Sequence, residues 1–399
     1  MALFILMLGL TNTLSGTLNG AQRPKKIFIV ANRKGSQDIL RIPLYGGMNT
    51  YFTKDSKSEG SLQCSKGKLL YTAGQKLYWQ RVNKPLKENS LGSVPLGLAS
   101  LYGGKLRRFI VPDPLGLKVL WPGDVALHVK SFDGTFSTKI FPASGRSIIH
   151  PASWRPGGTE ILYLTHEKKS GRLLMHFRDV SKLKDRLVIS PLGMGIKDAG
   201  AFEVHWSRDG QWVAVNLDGV PKKGGDRRRF FLVYELSTGK SLSLPSGYGI
   251  KKFHGFSLKN HLIVTAGWGK KKAAYRMGPL PGKSFKRIDS LGVEEVYGFY
   301  ASRNNVLINQ TWQCKKPRLS SISLYGTRTR LLRWARWTEI IAMDEYQTWA
   351  IFRGGGVCNT TRPNLYLMRV DGSLLLRELP KGRFSRLRHI NPSNIAICN

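Results

Sequence analysis

Short strands separated by turn residues recur along the whole chain. In the clearest copy, Phe202–Gln211 alternates apolar and polar residues, ends in an Asp-Gly turn, and precedes Trp212–Leu217, which is apolar on both faces. A polar loop, a third strand over Phe230–Leu236 and a short fourth strand over Lys240–Leu244 complete it. Runs of this length, bounded by Gly, Asp and Ser, predict a four-stranded antiparallel meander.

The same order of strands recurs in copies of unequal clarity. The other copies span His150–Ile189, Lys251–Ile288, Val296–Arg333, Ile340–Leu379, Ser61–Val82 and Leu98–Phe141. At the front, strands two to four occur without a first strand, over Lys26–Val30, Ile39–Gly46 and Asn49–Thr53. Near the other end, Phe384–Ile390 has the pattern of an orphan first strand.

This arrangement predicts an all-β fold, a β-propeller of four-stranded antiparallel blades. Counting the split copy once gives eight units, with a period of about 47 residues that is typical of propeller blades. Seven blades remain if Leu98–Phe141 is an insertion. Strand exchange between the termini would close the ring and remove two exposed sheet edges. A pair of β-sandwiches is the alternative, because it also contains many short strands.

Three segments resemble the TolB-like, or WD-type, propeller repeat. Trp206–Ala214 (WSRDGQWVA) is similar to its W-S-P-D-G-x-x-I-A-F core, and Trp154–Gly158 (WRPGG) is a degenerate copy. Ala31–Leu40 looks like the loop and third strand of the same repeat. The resemblance implies a propeller and, as in many such families, an exported binding protein. It does not extend to the small N-terminal α/β domain of TolB itself.

The N-terminal segment has the outline of a secretory signal. Ala2–Leu10 is an apolar run too short to span a bilayer, and a polar stretch of small residues follows to Ala21. We therefore expect a signal peptide over 1–21, a single propeller domain over 22–399 without a transmembrane segment, and a periplasmic or secreted location. The alternative is a buried N-terminal strand.

Charge is the strongest compositional feature. The chain has 63 Lys and Arg residues against 25 Asp and Glu, a net charge of +38. Many of these cations fall in the loops between second and third strands, which emerge on one face of a propeller. The predicted ligand-binding residues are Arg33, Lys34, Lys168, Lys169, Lys222, Lys223, Arg227, Arg228, Arg229, Lys270, Lys271, Lys272, Lys315, Lys316 and Arg318.

A face of one sign attracts anions, with a strong dependence on salt. The predicted partner is an anionic polymer or surface, or a protein that binds a propeller face. Export favours an acidic glycan or a lipid headgroup over nucleic acid. The competing interpretation is a solvated basic face without a ligand.

The sequence identifies no catalytic residue and predicts no cofactor. Its eight histidines lack H-x-H or H-E-x-x-H spacing, and no G-x-S-x-G elbow occurs. A propeller channel can still gather distant side chains, and His150, His205 and His254 lie on or beside first strands. They are weak candidates for a metal site. The alternative function is accordingly a lyase or hydrolase acting on acidic polysaccharide.

The four cysteines predict disulfide chemistry if the chain is exported. Cys314 and Cys358 fall in equivalent loops of adjacent blades, so we expect them to be bonded. Cys64 is placed in a turn on the opposite face, which makes it a poor partner for either, and its remaining choice is Cys398. The alternative is four reduced, buried cysteines in a chain that is not exported.

Overall fold

The structure is a computed structural model in which regular secondary structure is entirely β-strand over the residues it describes. These residues are 26–33, 36–44, 48–53, 59–94, 109–167, 169–189, 196–242, 244, 249–257, 259–268, 271–278, 280–281, 284–288, 298–301, 306–310, 319–323, 328–332, 337–344, 348–355, 364–369, 375–378 and 395–398. Their strands form eight antiparallel sheets, seven with four strands and one with three. The predicted β-propeller class is confirmed.

The sheets follow one another along the chain and are numbered here as blades in chain order. Blade 1 consists of β1 (Lys26–Arg33), β2 (Ser36–Pro43), β3 (Thr50–Tyr51) and β31 (Ile395–Cys398). Blade 2 consists of β4 (Glu59–Ser65), β5 (Lys68–Ala73), β6 (Lys76–Arg81) and β7 (Lys84–Ser93). Blade 3 consists of β8 (Val111–Pro112), β9 (Lys118–Pro122), β10 (Leu127–Ser131) and β11 (Ser137–Ile140). Blade 4 consists of β12 (Arg146–Trp154), β13 (Glu160–Glu167), β14 (Leu173–Asp179) and β15 (Lys184–Ile189).

The second half of the chain repeats this order. Blade 5, the three-stranded sheet, consists of β16 (Ile196–Trp206), β17 (Trp212–Pro221) and β18 (Arg228–Glu235). Blade 6 consists of β19 (Ile250–Phe256), β20 (Leu262–Trp268), β21 (Lys271–Met277) and β22 (Phe285–Arg287). Blade 7 consists of β23 (Gly298–Ala301), β24 (Val306–Gln310), β25 (Leu319–Ser323) and β26 (Arg328–Leu332). Blade 8 consists of β27 (Trp337–Met343), β28 (Trp349–Gly355), β29 (Asn364–Arg369) and β30 (Leu375–Glu378).

Two blades differ from the sequence expectation. The segment Leu98–Phe141 contains blade 3 and is therefore not an insertion between blades. In blade 5 the predicted fourth strand, Lys240–Leu244, is reduced to an isolated bridge between Tyr234 and Ser241. The apolar residues Leu242 and Leu244 still pack against the core of this blade, so the hydrophobic pattern was correct although the strand pairing was not.

First strands of successive blades contact one another, as in β12 with β16 and β16 with β19. These strands therefore form the inner ring of the propeller. The core is divided among the joints between blades: one apolar cluster combines side chains of blades 4 and 5, and another combines blades 5 and 6. Second strands read as continuous apolar runs because both of their faces are buried in this way.

The W-S-x-D-G segment forms the tight turn that its residues predict. Ser207 Oγ donates to Asp209 Oδ1 at 2.6 Å and accepts the backbone N–H of Trp212 at 2.8 Å. Asp209 Oδ1 also accepts the backbone N–H of Gln211 at 3.0 Å. Gly210 has φ of +67°, the left-handed region that favours glycine. The motif thus fixes the connection between the first two strands of blade 5.

The same motif joins blade 5 to blade 4. Trp206 Nε1 donates to Ser153 Oγ at 3.1 Å, and Arg155 Nε donates to the carbonyl of Gly210 at 3.0 Å. Trp206 also packs its ring edge-on against Phe177. The Trp of the motif therefore lies between neighbouring blades.

Strand exchange between the ends of the chain closes the ring. β31 pairs antiparallel with β1, with Cys398 opposite Lys26 and Ile395 opposite Ile29. It also contacts β27 of blade 8 and β4 of blade 2, and all four of its residues are buried. Closure was predicted, but its strand was misplaced: the structure uses Ile395–Cys398, and the segment Phe384–Ile390 lies outside the described residues.

A disulfide joins the closing strand to the next blade. Cys64 and Cys398 are bonded with their Cα atoms 5.7 Å apart, although 334 positions separate them in sequence. The placement of Cys64 in a turn is wrong, because Cys64 lies in the first strand β4, beside the first strand β31. Its bond is to Cys398, the partner that the sequence left to it. Cys314 and Cys358 lie outside the described residues, so their pairing stays a prediction.

Candidate functional site

Blade 5 carries a long hairpin that ends in a basic loop. β16 and β17 extend over 11 and 10 residues, and β17 pairs with β18 out to Gly219 opposite Arg228. The first six residues of β17 are buried, and burial then alternates toward Pro221. The segment Lys222–Arg229, called the blade-5 loop here, is exposed at every position. The hairpin therefore presents Lys222, Lys223, Arg227, Arg228 and Arg229 to solvent.

The blade-5 loop bridges the blades on either side. Lys222 Nζ donates to the carbonyl of Ser170, in the loop between β13 and β14, at 2.7 Å. Arg229 donates to Asp218 at 2.9 Å and to the carbonyl of Lys251 in blade 6 at 3.3 Å. Loops between second and third strands, and the entry to the next blade, therefore lie side by side here, as the propeller register predicts.

The loop of blade 4 is held to the same face. The backbone N–H of Ile196, which begins β16, donates to the carbonyl of Gly171 at 2.8 Å. The imidazole Nε2 of His166 bonds the carbonyl of Ile196 at 2.7 Å. Because these contacts are made by backbone and buried groups, the loop has a defined position beside the blade-5 loop.

Exposed cations continue around this edge of blades 4 to 6. We call the following set the basic rim: Lys169, Arg172, Lys222, Lys223, Arg227, Arg228, Arg229, Lys251 and Lys252. Carboxylates near these residues include those of Glu167 at the end of β13, Asp218 in β17 and Asp226 in the blade-5 loop. The hydroxyl of Ser170, with Arg146, Arg172 and Lys222, lowers the pKa of Glu167. The rim keeps a clear positive excess at neutral pH.

The other predicted ligand-binding residues are not placed in the same detail. Arg33 lies at the end of β1, and Lys271 and Lys272 lie in β21. The remaining predicted residues fall outside the described part of the chain: Lys34, Lys168, Lys270, Lys315, Lys316 and Arg318. Their membership of a common basic face stays a prediction.

A second group of polar side chains lies on β16 and β17 of blade 5 and on β19 of blade 6. Glu203 Oε2 accepts the side-chain N–H of Asn216 at 3.2 Å, and Asn216 Oδ1 accepts the backbone N–H of Phe253 at 3.4 Å. Burial lowers the pKa of His205 to about 4, with Lys252 acting in the same direction and Glu203 against it. The imidazole of His205 is therefore neutral at neutral pH.

A pH experiment tests this burial. An unfolded histidine titrates near pH 6.5. Between that pH and about 4 the unfolded chain binds a proton at His205 that the folded chain does not, so stability should fall as the pH drops. The loss should be at most about 3 kcal/mol. His205→Gln should reduce the difference between urea-unfolding free energies measured at about pH 7 and pH 4.5. An equal loss of unfolding free energy in the parent and in His205→Gln would contradict the assignment of this pH dependence to His205.

The candidate metal ligands are not brought together in the described residues. His254 Nε2 bonds the hydroxyl of Thr265 within its own blade at 2.7 Å. His150 lies in β12 of blade 4, two blades away from His254 in blade 6. Over the part of the chain that the structure describes, no group of three His, Cys, Asp or Glu side chains could hold a metal ion.

Sequence reasoning missed two partners of the blade-5 loop. Asp218 faces Arg229 directly across the β17–β18 ladder, and opposite charges at paired positions of a hairpin are the signal that could have found this ion pair. The carbonyl of Ser170 that binds Lys222 has no such signal, because a backbone acceptor is present in every residue.

Comparisons with known proteins show the fold. A crystal structure of Porphyromonas gingivalis dipeptidyl peptidase 4 is similar with a TM-score of 0.60 and 11% identity, over 92% of this chain and 60% of that chain. A structure from work on two prolyl endopeptidases has a TM-score of 0.52 and 15% identity, over 84% of this chain and 51% of that chain. A crystal structure of TolB from Acinetobacter baumannii has a TM-score of 0.36 and 15% identity, over 78% of this chain and 77% of that chain. No family model matches the chain, and no curated protein matches its sequence.

The likenesses to the two peptidase structures, together with the eight sheets, make the chain a β-propeller protein, the class that the TolB-like resemblance implied. The chain spans between half and three fifths of the length of the two peptidases. At such low identity the similarity concerns architecture and does not extend to activity. No helix in the described ranges is long and apolar enough to cross a membrane.

Proposed function

We propose that this protein is an exported β-propeller that binds or organises an anionic partner through its basic loop face. A propeller fits a binding or scaffold role, since its rigid sheets hold many loops in fixed positions. The observation that carries the proposal is the blade-5 loop, which exposes five cations and is fastened to blades 4 and 6.

The shape of the basic rim suits an extended ligand. Its residues belong to three consecutive blades, so an acidic polymer or an anionic surface could contact several of them at once. Each contact would release counterions, and the summed affinity would fall steeply with salt. The partner we favour is an acidic glycan, an anionic lipid surface or an acidic protein.

Export is part of the proposal. The Cys64–Cys398 disulfide is compatible with an oxidising compartment, where such bonds form and persist. The apolar N-terminal run followed by small polar residues supports a secretory signal. A propeller domain over 22–399 would then be the mature protein.

Neutralising the blade-5 loop should weaken binding to heparin, used as the test polyanion. The variant replaces Lys222, Lys223, Arg227 and Arg228 with Gln and leaves Arg229 in its ion pair with Asp218. Affinity should fall at least about tenfold at low salt. The slope of log affinity against log salt should fall by up to about 4 if every replaced side chain contacts the polymer. Salt-series titration measures both.

A matched control removes the same charge elsewhere. Lys76, Lys139, Lys240 and Lys286 are exposed and lie outside the basic rim. Replacing these four with Gln should lower affinity only through net charge and leave most of the salt slope intact. If both quadruple variants behave alike, binding reflects overall charge and the rim has no special role.

A further inference from the structure

The disulfide at the closure is asymmetric in exposure. Cys398 is 1% exposed and packs in the apolar cluster between blades 1 and 2. Cys64 is only partly buried and packs against the edge of that cluster. Cys64 is therefore the more accessible residue of the bonded pair.

The strand that closes the ring, β31, is short. β31 has four residues, pairs with β1 at four positions, and forms a parallel bridge from Ile397 to Asp344 of blade 8. Its side chains pack in two clusters: Ile395 and Ile397 toward blade 8, and Ala396 and Cys398 toward blade 2. The disulfide adds the covalent link from this strand to β4.

We propose that Cys64 is a thiol-reactive site and that its bond to Cys398 is a redox latch on the ring. A low-molecular-weight thiolate attacks Cys64 Sγ, the bond between Cys64 and Cys398 breaks, and a mixed disulfide forms on Cys64. Cys398 leaves as a thiolate and takes a proton from water. The proposal is independent of the ligand of the basic rim.

A second thiol completes the reduction. Its thiolate attacks the outer sulfur of the mixed disulfide, which releases Cys64 as a thiolate that is then protonated. In sum, two thiols are oxidised to one disulfide, and the protein disulfide accepts two electrons and two protons. β31 is then held by strand pairing and packing alone, and it separates from β1 more often.

The exposure difference explains the direction of attack. A thiolate must approach a sulfur along the S–S axis from the side opposite the leaving sulfur. Approach to Cys398 would require passage through the packed cluster that contains Phe28 and Leu62, both fully buried. Approach to Cys64 starts from the partly exposed end of β4.

The first test uses the full-length oxidised protein and reduced glutathione under native conditions, followed by acid quenching and peptide mapping. We expect the glutathione adduct on Cys64 and a free thiol at Cys398. In Cys398→Ala, treated with oxidised glutathione, the adduct on Cys64 should accumulate, whereas Cys398 of the Cys64→Ala variant should stay unmodified. An adduct on Cys398 in the parent protein would overturn the proposal.

The second test measures release of the strand. Hydrogen exchange of the parent protein, oxidised and reduced, should show faster exchange in β31 and β1 after reduction, with β13 of blade 4 unchanged as the internal control. Unchanged exchange in β31 would contradict the proposed latch. So would reduction that occurs only with loss of protection throughout the protein. The exchange measurements, and the adduct mapping of the parent protein in the first test, do not depend on folding of the variants.

Discussion

Ending the chain after Asn394 is expected to remove most of the stability of the propeller. The truncation deletes β31, exposes the edge of β1, and removes the apolar side chains of Ile395 and Ile397, which are 0% and 1% exposed. Truncating a buried Ile costs about 2–5 kcal/mol. Together with the lost disulfide, the loss should reach the total stability of a typical domain, about 5–15 kcal/mol. Urea unfolding and size-exclusion chromatography measure the loss and the resulting association.

Two controls separate the causes. Removing Asn399 alone should leave stability nearly unchanged. A Cys64→Ser/Cys398→Ser variant keeps the strand and loses the bond; the loop-entropy estimate for a separation of 334 residues is roughly 6 kcal/mol, an upper figure. Its loss should be smaller than that of the truncation. A truncated protein that unfolds at the parent urea concentration and stays monomeric would show that closure does not depend on β31.

The closing strand shows what the sequence could and could not predict. The missing first strand at the front required a partner from elsewhere, and this inference was correct. Its position was wrong: Phe384–Ile390 mixes apolar with polar residues over seven positions, whereas the closing strand, Ile395–Cys398, is a short apolar run. A strand buried on both faces loses the alternation by which strands are recognised.

Cys64 was misplaced by a related error of register. In the structure Cys64 precedes Ser65 at the end of β4, as Trp206 precedes Ser207 at the end of β16. Aligning the two pairs would have put Cys64 on a first strand, beside the closing strand. The repeat was recognised by its period in this part of the chain, and the period alone does not fix a position to one residue.

For the basic rim, the sequence predicted the common face of neighbouring loops but not their pairings. Counting charges gives the sign of the field, and the propeller order brings the loops of blades 4 and 5 together. The count does not reveal that Arg229 pairs with Asp218, or that Lys222 binds the carbonyl of Ser170. The ion pair is the reason why Arg229 is left in place in the binding experiment.

The joint between blades 5 and 6 is the second place where a single change should have a large effect. Phe253 is 0% exposed and packs in the cluster that combines Trp212 and Val233 of blade 5 with Leu262 of blade 6. Its ring lies edge-on to Phe231 with the centroids 5.2 Å apart. The side chain therefore fills the joint from the first strand of one blade toward the other.

Phe253→Ala should destabilise the protein by about 3–5 kcal/mol, because it removes buried apolar contacts and leaves a cavity that rigid sheets on both sides fill poorly. Phe253→Leu keeps most of the volume and should cost clearly less. Phe141, which is 60% exposed, offers the matched control, and Phe141→Ala should change stability by no more than about 0.5 kcal/mol. Urea unfolding of the three variants at neutral pH decides the matter. Equal losses for Phe253→Ala and Phe141→Ala would mean that the joint between blades 5 and 6 does not hold the ring together.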